Sequence, residues 1–500
     1  MKQFFPTSTR QGSIVIQVLA FATISVVILS GFVGWGVMSV RVARHSEARE
    51  QALQIAEAGI DYYRWHLAHA ESDYQDGTGA AGPYVHDYNN KNDVKIGTFS
   101  LAITPPPLGS TLVTITSTGS VLSDPTVGRT IQTKLAKPSF AKYAVASNDF
   151  EWEEDVEIFG PYHTNGGIHF SSNVLAHNVV TSARVTITDP DYGNRAWGAY
   201  YCVSAPGCSG AGDDPVPPNP VPTPPPIPTA NPAVFAAGRQ IGVPALDFAG
   251  LLADLADIKT SAQAGGKYYA PSGVLGYHII LKPTGTFDIK KVTALVAVSQ
   301  ACINDSKFMD PGGGSWSIQT ETLDPADTDV PYPANGLIFV EDNVWVNGTI
   351  NGARLVVAAA RFPDAPATRA NITVNADIRY TNFDGTDVIG LIAQNYIRAG
   401  LISPDVLHID GVLMAQTGAV WRDYYPVGNC GGTGLRTRIE IMGSVISAIR
   451  YNFSYWCGYW CSGYQRYVLT YDPQLLFAPP PSFPLTTDKY QIMSWDEISS

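Results

Sequence analysis

The chain opens with a long uncharged apolar segment. Residues 13–40 (SIVIQVLAFATISVVILSGFVGWGVMSV) carry no charged side chain over 28 positions. As an α-helix this segment would be about 42 Å long, more than the roughly 30 Å hydrocarbon core of a bilayer. A buried core helix is the alternative, but such a length without one charge is rare in soluble folds. The pattern therefore predicts a single membrane span.

A helical pattern continues beyond the apolar segment. One stripe of residues recurs at spacings of four and three, as on one face of an amphipathic helix: Ala52, Ala56, Gly59, Tyr63 and His66. We therefore predict one helix over residues 13–70 that runs from the bilayer into the aqueous phase. A cleaved signal peptide is excluded, because the apolar region is too long and no small-x-small cleavage site with a clear stop follows it.

After the helix, apolar and polar residues alternate, which is typical of half-buried strands. Three such runs, at residues 98–104, 112–118 and 130–135, predict a small antiparallel β unit within residues 71–137. Residues 138–213 contain short apolar pairs between Gly and Asn turns, a pattern that indicates a β region with solenoid coils.

A proline-rich tract divides the rest of the chain. Residues 214–235 contain the run DPVPPNPVPTPPPIPTANP, which cannot donate the hydrogen bonds of a strand ladder and favours extended polyproline II. We predict a linker there and an α+β segment over residues 236–330. The apolar positions of its helix have helical spacing: Phe248, Leu251, Leu252, Leu255 and Ile258.

Residues 331–470 contain recurring apolar segments: 337–346, 348–359, 372–380, 388–397, 406–414 and 439–449. They are joined by Asn-Gly or Asp-Gly pairs that predict turns: Asn347-Gly348, Asn351-Gly352, Asp384-Gly385 and Asp410-Gly411. Short β runs with small residues at corners suit a parallel β-helix, because each coil buries its inward side chains on the next. We predict a right-handed parallel β-solenoid, followed by a C-terminal tail over residues 471–500. A β-sandwich is the alternative, because the period is irregular. The fold class is thus mainly β with one long N-terminal α-helix.

The N-terminal region resembles type IV pilin-like proteins, especially minor pilins of the PilX type. A short basic leader, residues 1–12, ends at Gly12 directly before the apolar segment, and residues 51–63 (QALQIAEAGIDYY) are similar to the Ala-Glu-Ala-Gly stretch of that family. The resemblance implies that a prepilin peptidase cuts after Gly12 and leaves Ser13 as the new N-terminus. The fifth mature position is then Gln17, where the family typically has Glu, and a Gln cannot neutralise a neighbouring terminal ammonium.

The body resembles the extracellular part of large pilus-assembly proteins. Three segments carry this resemblance, in the same order: GKYYAPSGVLGYH (266–278), GLIFVEDNVWVNGTING (336–352) and YDPQLLFAPPPSFP (471–484). The resemblance implies a surface or pilus-associated role and brings no catalytic chemistry with it.

Charge and cysteine content narrow the classes of function. The chain has 32 Lys and Arg against 44 Asp and Glu, a net charge of −12, which argues against a nucleic-acid binder. Six cysteines suit disulfides outside the cytosol, and so an outward-facing body. Among many connectivities, the simplest has two local bridges and one distant bridge: Cys202–Cys208, Cys457–Cys461 and Cys302–Cys430. A zinc site is the alternative, but neither short spacing is a CxxC and no nearby His pair completes a ligand set. We predict no metal and no cofactor.

Acidic and histidine side chains form two further groups. The acids between Asp149 and Glu157 alternate partly with apolar residues, which favours a charge-protected strand edge over a calcium loop. His163, His169 and His177 are interpreted as exposed turn residues, with a metal-binding ladder as the alternative.

Four aspartates could supply the paired carboxylates of solenoid polysaccharide hydrolases or lyases: Asp377, Asp384, Asp387 and Asp410. Two of them precede Gly at predicted turns, and Asp387 lies just past one such turn. We therefore predict no catalytic residue and no enzymatic activity.

The strongest binding signal is an aromatic cluster: Tyr451, Phe453, Tyr455, Trp456, Tyr459, Trp460, Tyr464 and Tyr467. Flat rings with polar groups suit sugar stacking or protein interfaces. Aromatic residues also cap the ends of solenoids, so a cap is the competing interpretation. The candidate binding residues are Tyr455, Trp456, Tyr459 and Trp460.

Together these patterns predict a single-pass membrane protein, in a pilus or beside it, with the bulk of the chain extracytoplasmic. Gly31, Gly34 and Gly36 would let neighbouring helices approach closely. The expected partners are the lipid bilayer, other pilin-like or pilus-assembly proteins and a surface glycan, and no nucleic acid. The expected function is structural, in type IV pilus assembly or adhesion. A membrane-anchored carbohydrate-active β-helix enzyme or glycan-binding protein is the alternative.

Overall fold

The computed structural model describes residues 11–106, 110–203, 208, 210, 212–226, 228, 230–303, 314–323 and 327–498. Two compact units are formed by residues 11–105, 113–135 and 492–498, and by residues 106, 110–112 and 136–491. Most of the predicted leader, residues 1–10, lies outside the described residues.

The described part of the chain is mainly β with one long N-terminal helix. The helices are α1 Gln11–His69, α2 Leu251–Gly265, α3 Gln300–Ile303 and α4 Val427–Cys430. The first strands are β1 Tyr84–Asn89, β2 Lys95–Thr104, β3 Val113–Val121, β4 Asp124–Ala136, β5 Val145–Ser147, β6 Phe150–Glu153, β7 Glu157–Phe159, β8 Tyr162–Thr164, β9 Gly167–Phe170, β10 Leu175–Ala176, β11 Val180–Ser182, β12 Thr186–Thr188, β13 Arg195–Trp197, β14 Ala199–Tyr201 and β15 Arg239–Ile241.

The remaining strands follow the proline-rich tract. They are β16 Lys267–Tyr269, β17 Gly276–Lys282, β18 Thr286–Leu295, β19 Ile318–Leu323, β20 Val330–Pro331, β21 Leu337–Val340, β22 Val344–Ile350, β23 Arg354–Ala359, β24 Ile372–Val374, β25 Ile378–Tyr380, β26 Val388–Ala393, β27 Ile397–Ala399, β28 Val406–Ala415, β29 Val420–Arg422, β30 Leu435–Ser447, β31 Ser454–Trp456, β32 Trp460–Tyr471 and β33 Gln491–Ile498.

The first unit consists of α1 and a five-stranded sheet in the order β1-β2-β3-β4-β33. Strands β1 to β4 form an antiparallel meander. The fifth strand comes from the far end of the chain, in the segment that the sequence analysis assigns to a C-terminal tail. The sheet of the first unit therefore combines strands from residues 84–136 with a strand that lies more than 350 positions later in the sequence.

The C-terminal part of α1 is buried on this sheet. Its buried side chains follow helical spacing and include most of the predicted stripe: Ala48, Ala52, Ile55, Ala56, Ile60, Tyr63 and Leu67. The sheet contributes buried apolar residues from alternating strand positions: Phe99, Leu101, Val113, Ile115, Val121, Val127, Ile131 and Leu135. His66 of the predicted stripe is only half-buried, and its Nε2 lies 3.1 Å from the carboxylate of Asp73.

Helix α1 and strand β3 approach each other closely at Gly119. A Cβ atom on Gly119 would lie 2.1 Å from the Ala52 carbonyl oxygen and 2.5 Å from the Ala56 nitrogen. Only a residue without a side chain allows this contact. The position of the helix on the sheet thus depends on Gly119.

The second unit contains long rows of parallel strands. In a first row, each strand pairs in register with the next: β16, β21, β23, β26, β28, β30, β5, β8, β11 and β15. A second row runs through β17, β22, β24, β27 and β29. A third row runs through β22, β25, β28, β30, β32, β7 and β10.

The chain does not visit these rows in sequence order. Strand β5 lies between β30 and β8, so residues just after the first unit stack on residues about 300 positions later, as in the pair Val145↔Val445. The two β regions that the sequence analysis places on either side of the proline-rich linker therefore share one sheet. The linker and α2 carry the chain back to the β16 end of the first row.

The strands in the middle of the first row, such as β21, β23, β26, β5 and β8, are buried on both faces, whereas the end strands β15 and β16 are only partly buried. Alternate residues point into one core, for example Ile338, Val357 and Leu391. The residues between them join a second core with the predicted apolar positions of α2 and the segment before it: Phe248, Leu251, Leu255 and Ile258. The predicted helix is confirmed, although the side chain of Leu252 lies outside the described residues. Burial on both faces explains the near-continuous apolar runs of these strands.

Two of the predicted turns are wrong. Asn347-Gly348 lies inside β22 and Asp410-Gly411 lies inside β28, where Gly348 and Gly411 pair with Leu281 and Gly443 of neighbouring strands. These strands pass from one row into another without leaving the ladder, so the glycines lie at bends within continuous strands.

Candidate functional surfaces

The N-terminal half of α1 presents a continuous apolar surface. Its large apolar side chains between Ile14 and Val42 are 51–71% exposed. The helix is long and apolar enough to cross a membrane. Covering one such side chain contributes roughly 1.5–3 kcal/mol, so this surface strongly favours an apolar environment over water.

The residues predicted for processing and helix packing all lie on this part of α1. Gly12 and Ser13 belong to its first turns, and Gln17 is exposed. A Cβ atom on Gly31, Gly34 or Gly36 would meet nothing within 4 Å. Their roles in processing and packing stay predictions.

All six cysteines form disulfides in the second unit. The pairs are those that the sequence analysis favours: Cys202–Cys208, Cys302–Cys430 and Cys457–Cys461. The distant bridge spans 128 residues and lies with Leu401 and Tyr425 in a small apolar core. Among the described residues, no group of three or more His, Cys, Asp or Glu side chains is arranged to hold a metal ion.

Four of the aromatic candidates lie on a tight hairpin, residues 454–463, which we call the aromatic hairpin. Strands β31 and β32 pair across it, with Trp456 opposite Trp460. The Cys457 N–H donates to the Tyr459 carbonyl at 2.9 Å, and Gly458 has a φ of 84°, a conformation that favours glycine. The Cys457–Cys461 disulfide closes the turn.

The aromatic hairpin turns two rings outward and holds one inward. Trp456 is 63% exposed and Tyr459 is 65% exposed, the highest values for aromatic side chains in the described part of the second unit. Tyr455 is buried and donates its hydroxyl to the Arg422 carbonyl at 2.8 Å. Trp460 is half-buried, and its ring meets the Trp456 ring edge-on at 5.1 Å between centroids.

The rest of the predicted aromatic cluster belongs to the interior. Tyr451, Phe453 and Tyr464 are buried in the main core, and Tyr467 packs against it. The cluster is therefore divided between a structural part and an exposed part, and only the exposed part presents a surface to solvent.

The predicted charge-protected strand edge is wrong for Glu151 and Glu153. Both side chains are almost completely buried. Glu153 accepts hydrogen bonds from the hydroxyls of Tyr162, at 2.9 Å, and of Tyr451 and Tyr467. These tyrosines supply polar partners that the local sequence around the acids does not reveal.

Burial dominates the ionisation of both acids. Burial raises the pKa of the Glu151 carboxyl well above its ordinary value, and a hydrogen bond to Ser147 opposes this only in part. Burial also raises the pKa of Glu153, although hydrogen bonds from the three tyrosines oppose the rise. This cluster joins β6 and β8 to residues about 300 positions later in the chain.

The interpretation of the histidines as exposed turn residues is wrong for two of the three. His163 is buried, with Nδ1 2.9 Å from Thr181 Oγ1 and Nε2 3.0 Å from Asn165 Oδ1. His169 is buried with Nε2 2.8 Å from the Cys202 carbonyl oxygen. Burial lowers the pKa of each.

His177 is half-buried. Its ring stacks on the Phe159 ring with 4.3 Å between centroids, and its Nε2 lies 2.6 Å from Glu157 Oε1.

The four aspartates brace the backbone. Asp384 accepts from the N–H and hydroxyl of Thr386, and Asp387 accepts the N–H groups of Ala353, Thr381 and Asn382. Asp410 accepts the Tyr380 N–H at 2.9 Å, and Asp377 accepts the His408 N–H at 3.0 Å. Each carboxylate thus accepts hydrogen bonds from the backbone of a neighbouring strand or turn.

No protein-family model matches the chain, and no curated protein matches it. Among solved structures, the competence-associated pilin ComZ from Thermus thermophilus is similar to this chain, with 13% sequence identity and a TM-score of 0.31. The likeness covers 90% of this chain and 97% of that chain. At this TM-score the likeness carries no weight for function, which has to be inferred from the chain itself.

Proposed function

We propose that this chain is a membrane-anchored, pilin-like structural protein that acts in type IV pilus assembly or adhesion. One observation carries the proposal: a single helix has an exposed apolar N-terminal half and a C-terminal half buried on an antiparallel sheet. The first half suits a bilayer or the apolar surface of neighbouring helices. The second half ties that anchor rigidly to a folded unit.

The three disulfides support an extracytoplasmic location for the second unit. Disulfides persist in oxidising compartments and are rare in the cytosol. With one apolar segment in the membrane, the folded parts of the chain would lie on the outer side.

The mature N-terminus tests the pilin-like part of the proposal. Mass spectrometry of protein isolated from membranes should find Ser13 as the first residue, because the leader ends at Gly12. An intact Met1 would reduce the segment to a plain anchor. Replacing Gly12 with a bulky residue should block the cleavage, whereas replacing Gln11 conservatively should not.

We also propose that the second unit is a parallel β-solenoid. Three rows of parallel strands support this fold. Two asparagine side chains also link successive segments before β22, β24 and β27: the Asn371 N–H donates to Asn343 Oδ1 at 3.0 Å, and the Tyr396 N–H donates to Asn371 Oδ1 at 3.2 Å. In a β-sandwich, neighbouring strands would instead be mostly antiparallel.

Engineered disulfides distinguish these two folds. Thr349 and Arg379 are register partners on adjacent parallel strands, so their Cα atoms lie within the range of a disulfide. Thr349→Cys with Arg379→Cys should oxidise readily. Thr349→Cys with Met442→Cys, several strands away at about 14 Å, should stay reduced. Equal oxidation of both pairs would contradict the proposed register.

We propose that the role is structural and not catalytic. The four aspartates that could resemble a hydrolytic site are engaged in backbone bracing. Replacing each aspartate with Asn should therefore lower the stability of the second unit. It should not change the rate at which glycans are cleaved. Loss of a glycan-cleaving activity in these variants, with the fold intact, would overturn this part of the proposal.

A further inference from the structure

We propose that the aromatic hairpin is a binding site for an uncharged polysaccharide. The inference deepens the adhesive role in the proposed function by naming its ligand. The inference depends on the aromatic hairpin alone, since the exposed rings of Trp456 and Tyr459 are not part of the buried core.

The hairpin holds its exposed rings in place before any ligand arrives. The turn is fixed by the hydrogen bond between Cys457 and Tyr459, by the disulfide and by the buried Tyr455 beneath it. Ordering flexible side chains on binding costs roughly 0.5–1.5 kcal/mol each, so a preformed platform avoids much of that cost. Two large rings turned toward water are otherwise unfavourable for the fold.

The chemistry of this surface suits a sugar. Trp456 and Tyr459 offer flat apolar faces to the C–H groups of a pyranose ring, and the indole N–H and phenol O–H can bond to sugar hydroxyls. From Tyr451 to Tyr464 the sequence YNFSYWCGYWCSGY contains no Asp, Glu, Lys or Arg. A charged ligand would find no counter-charge on the hairpin, so an uncharged polysaccharide fits best.

The area of the surface argues against a protein partner. The two rings together expose on the order of 300 Å², whereas a stable protein interface buries about 800 Å² on each side. Residues 428–434 lie beside the hairpin, since the Gly463 N–H donates to the Gly434 carbonyl at 3.0 Å. Four of these seven residues are glycines, and none of the seven has a large apolar side chain.

The test uses the purified full chain in detergent micelles on immobilised oligosaccharides. The neutral probes are oligomers of glucose, galactose, mannose and N-acetylglucosamine, and the charged probes contain uronic or sialic acid. We expect binding to at least one neutral probe, unchanged between 0.1 and 1 M salt, because no ion pair is involved. Trp456→Ala and Tyr459→Ala should each weaken it about 10-fold or more.

Phe383→Ala is the matched control, since Phe383 is also exposed, at 49%, on another part of the second unit. It should leave binding unchanged, and Trp456→Phe, which keeps an aromatic face, should retain most of it. The thermal midpoint of each variant shows whether it is folded.

Three results would overturn the inference. They are no binding to any neutral probe, salt-sensitive binding to charged probes alone, or binding by the folded Trp456→Ala and Tyr459→Ala variants that is as strong as that of the wild type. Failure of the proposed function looks different. A chain that binds the neutral probe through these rings but does not enter membranes would overturn the anchor and leave this inference standing.

Discussion

At the scale of single residues, the second unit depends on two acidic side chains of β6 that are buried, although acidic residues are usually exposed. Glu151 and Glu153 lie in the interior, and three tyrosine hydroxyls surround Glu153. A buried carboxyl is tolerated when it is hydrogen-bonded, and it is cheapest when it is neutral. The cluster therefore stabilises the contact between distant chain segments best in its protonated form.

Glu151 makes the stability of the second unit sensitive to pH. Its pKa is raised in the folded state, so its contribution to stability is full below the ordinary value of 4.5 and is lost as pH rises through the raised pKa. Glu151→Gln mimics the neutral form. The stability of this variant relative to the wild type should increase with pH, by up to about 1.4 kcal/mol per unit.

Urea unfolding at several pH values between 4 and 8 measures this difference. Glu154→Gln, at an exposed position on the same stretch, is the control and should show little pH-dependent difference. A constant difference between Glu151→Gln and the wild type across this range would show that the pKa of Glu151 is not raised in the folded protein.

Gly119 is the second residue on which a large contact depends. Gly119→Ala would place a methyl group 2.1 Å from the Ala52 carbonyl, so the helix must move away from the sheet. We expect a loss of about 1–3 kcal/mol in the stability of the first unit. At Gly128, in the same sheet, a Cβ atom has its nearest neighbour at 3.8 Å. Gly128→Ala should cost far less, and chemical denaturation of both variants compares them directly. Equal losses would contradict the close packing of α1 on β3.

At the scale of elements, β33 lies beside β4 in the first unit. Its side chains are mostly exposed, and Arg129 and Glu497 form an ion pair between the two strands. The strand therefore contributes mainly backbone hydrogen bonds. Without it, β4 would present an unpaired edge.

Ending the chain at Tyr490 tests the role of β33. Hydrogen exchange should show faster exchange of β4 amides, whereas the central β2 and β3 amides should keep their protection. Glu497→Gln alone should change the stability of the first unit little, because the ion pair is partly exposed. Unchanged exchange of β4 in the truncated chain would mean that β33 does not pair with it.

The disulfides should differ in their effect according to the loop that each closes. Cys302–Cys430 closes 128 residues and Cys202–Cys208 closes six. By loop-closure entropy, replacing the first pair with Ser should cost about 5 kcal/mol, and replacing the second about 2 kcal/mol. Guanidinium unfolding of the two double variants gives both values. A larger loss from the short bridge would contradict this ranking.

Local patterns predicted the elements of the fold well. The long helix, its stripe from Ala52 to Tyr63 and the helix α2 all follow from spacing along the chain, and the three observed cysteine pairs are the simplest of the possible connectivities. The helices depend on residues that are close in sequence, and the cysteine pairs on a limited number of possible connectivities. The predicted turn at Asp410-Gly411 failed because a glycine bend inside a strand has the same local sequence as a turn.

Long-range pairing could not be predicted from the sequence. Nothing near Glu153 indicates that Tyr451 and Tyr467 meet it, and nothing near β33 indicates that it joins β4. The aromatic candidates show the same limit. Trp456 and Tyr464 look alike in the sequence, yet one is exposed and the other is buried, because tertiary packing decides which ring faces the core.

At the scale of the whole molecule, the chain leaves its N-terminal unit, builds the second unit and returns for one last strand. The sheet of the first unit is thus completed by β33 only after the second unit has been synthesised. We infer that the exposed half of α1 is embedded in a membrane.

Fractionation of cells that express the full-length chain tests whether this half of α1 lies in a membrane. After alkaline carbonate extraction, the wild type and a Val26→Leu control should remain in the membrane pellet with Cys302–Cys430 oxidised. A variant with Val26→Asp and Leu29→Lys should leave the pellet, because each central charge costs about 2.5–3.5 kcal/mol in a membrane. Full-length wild-type protein in the soluble cytosolic fraction, with its thiols reduced, would show that α1 is not a membrane anchor.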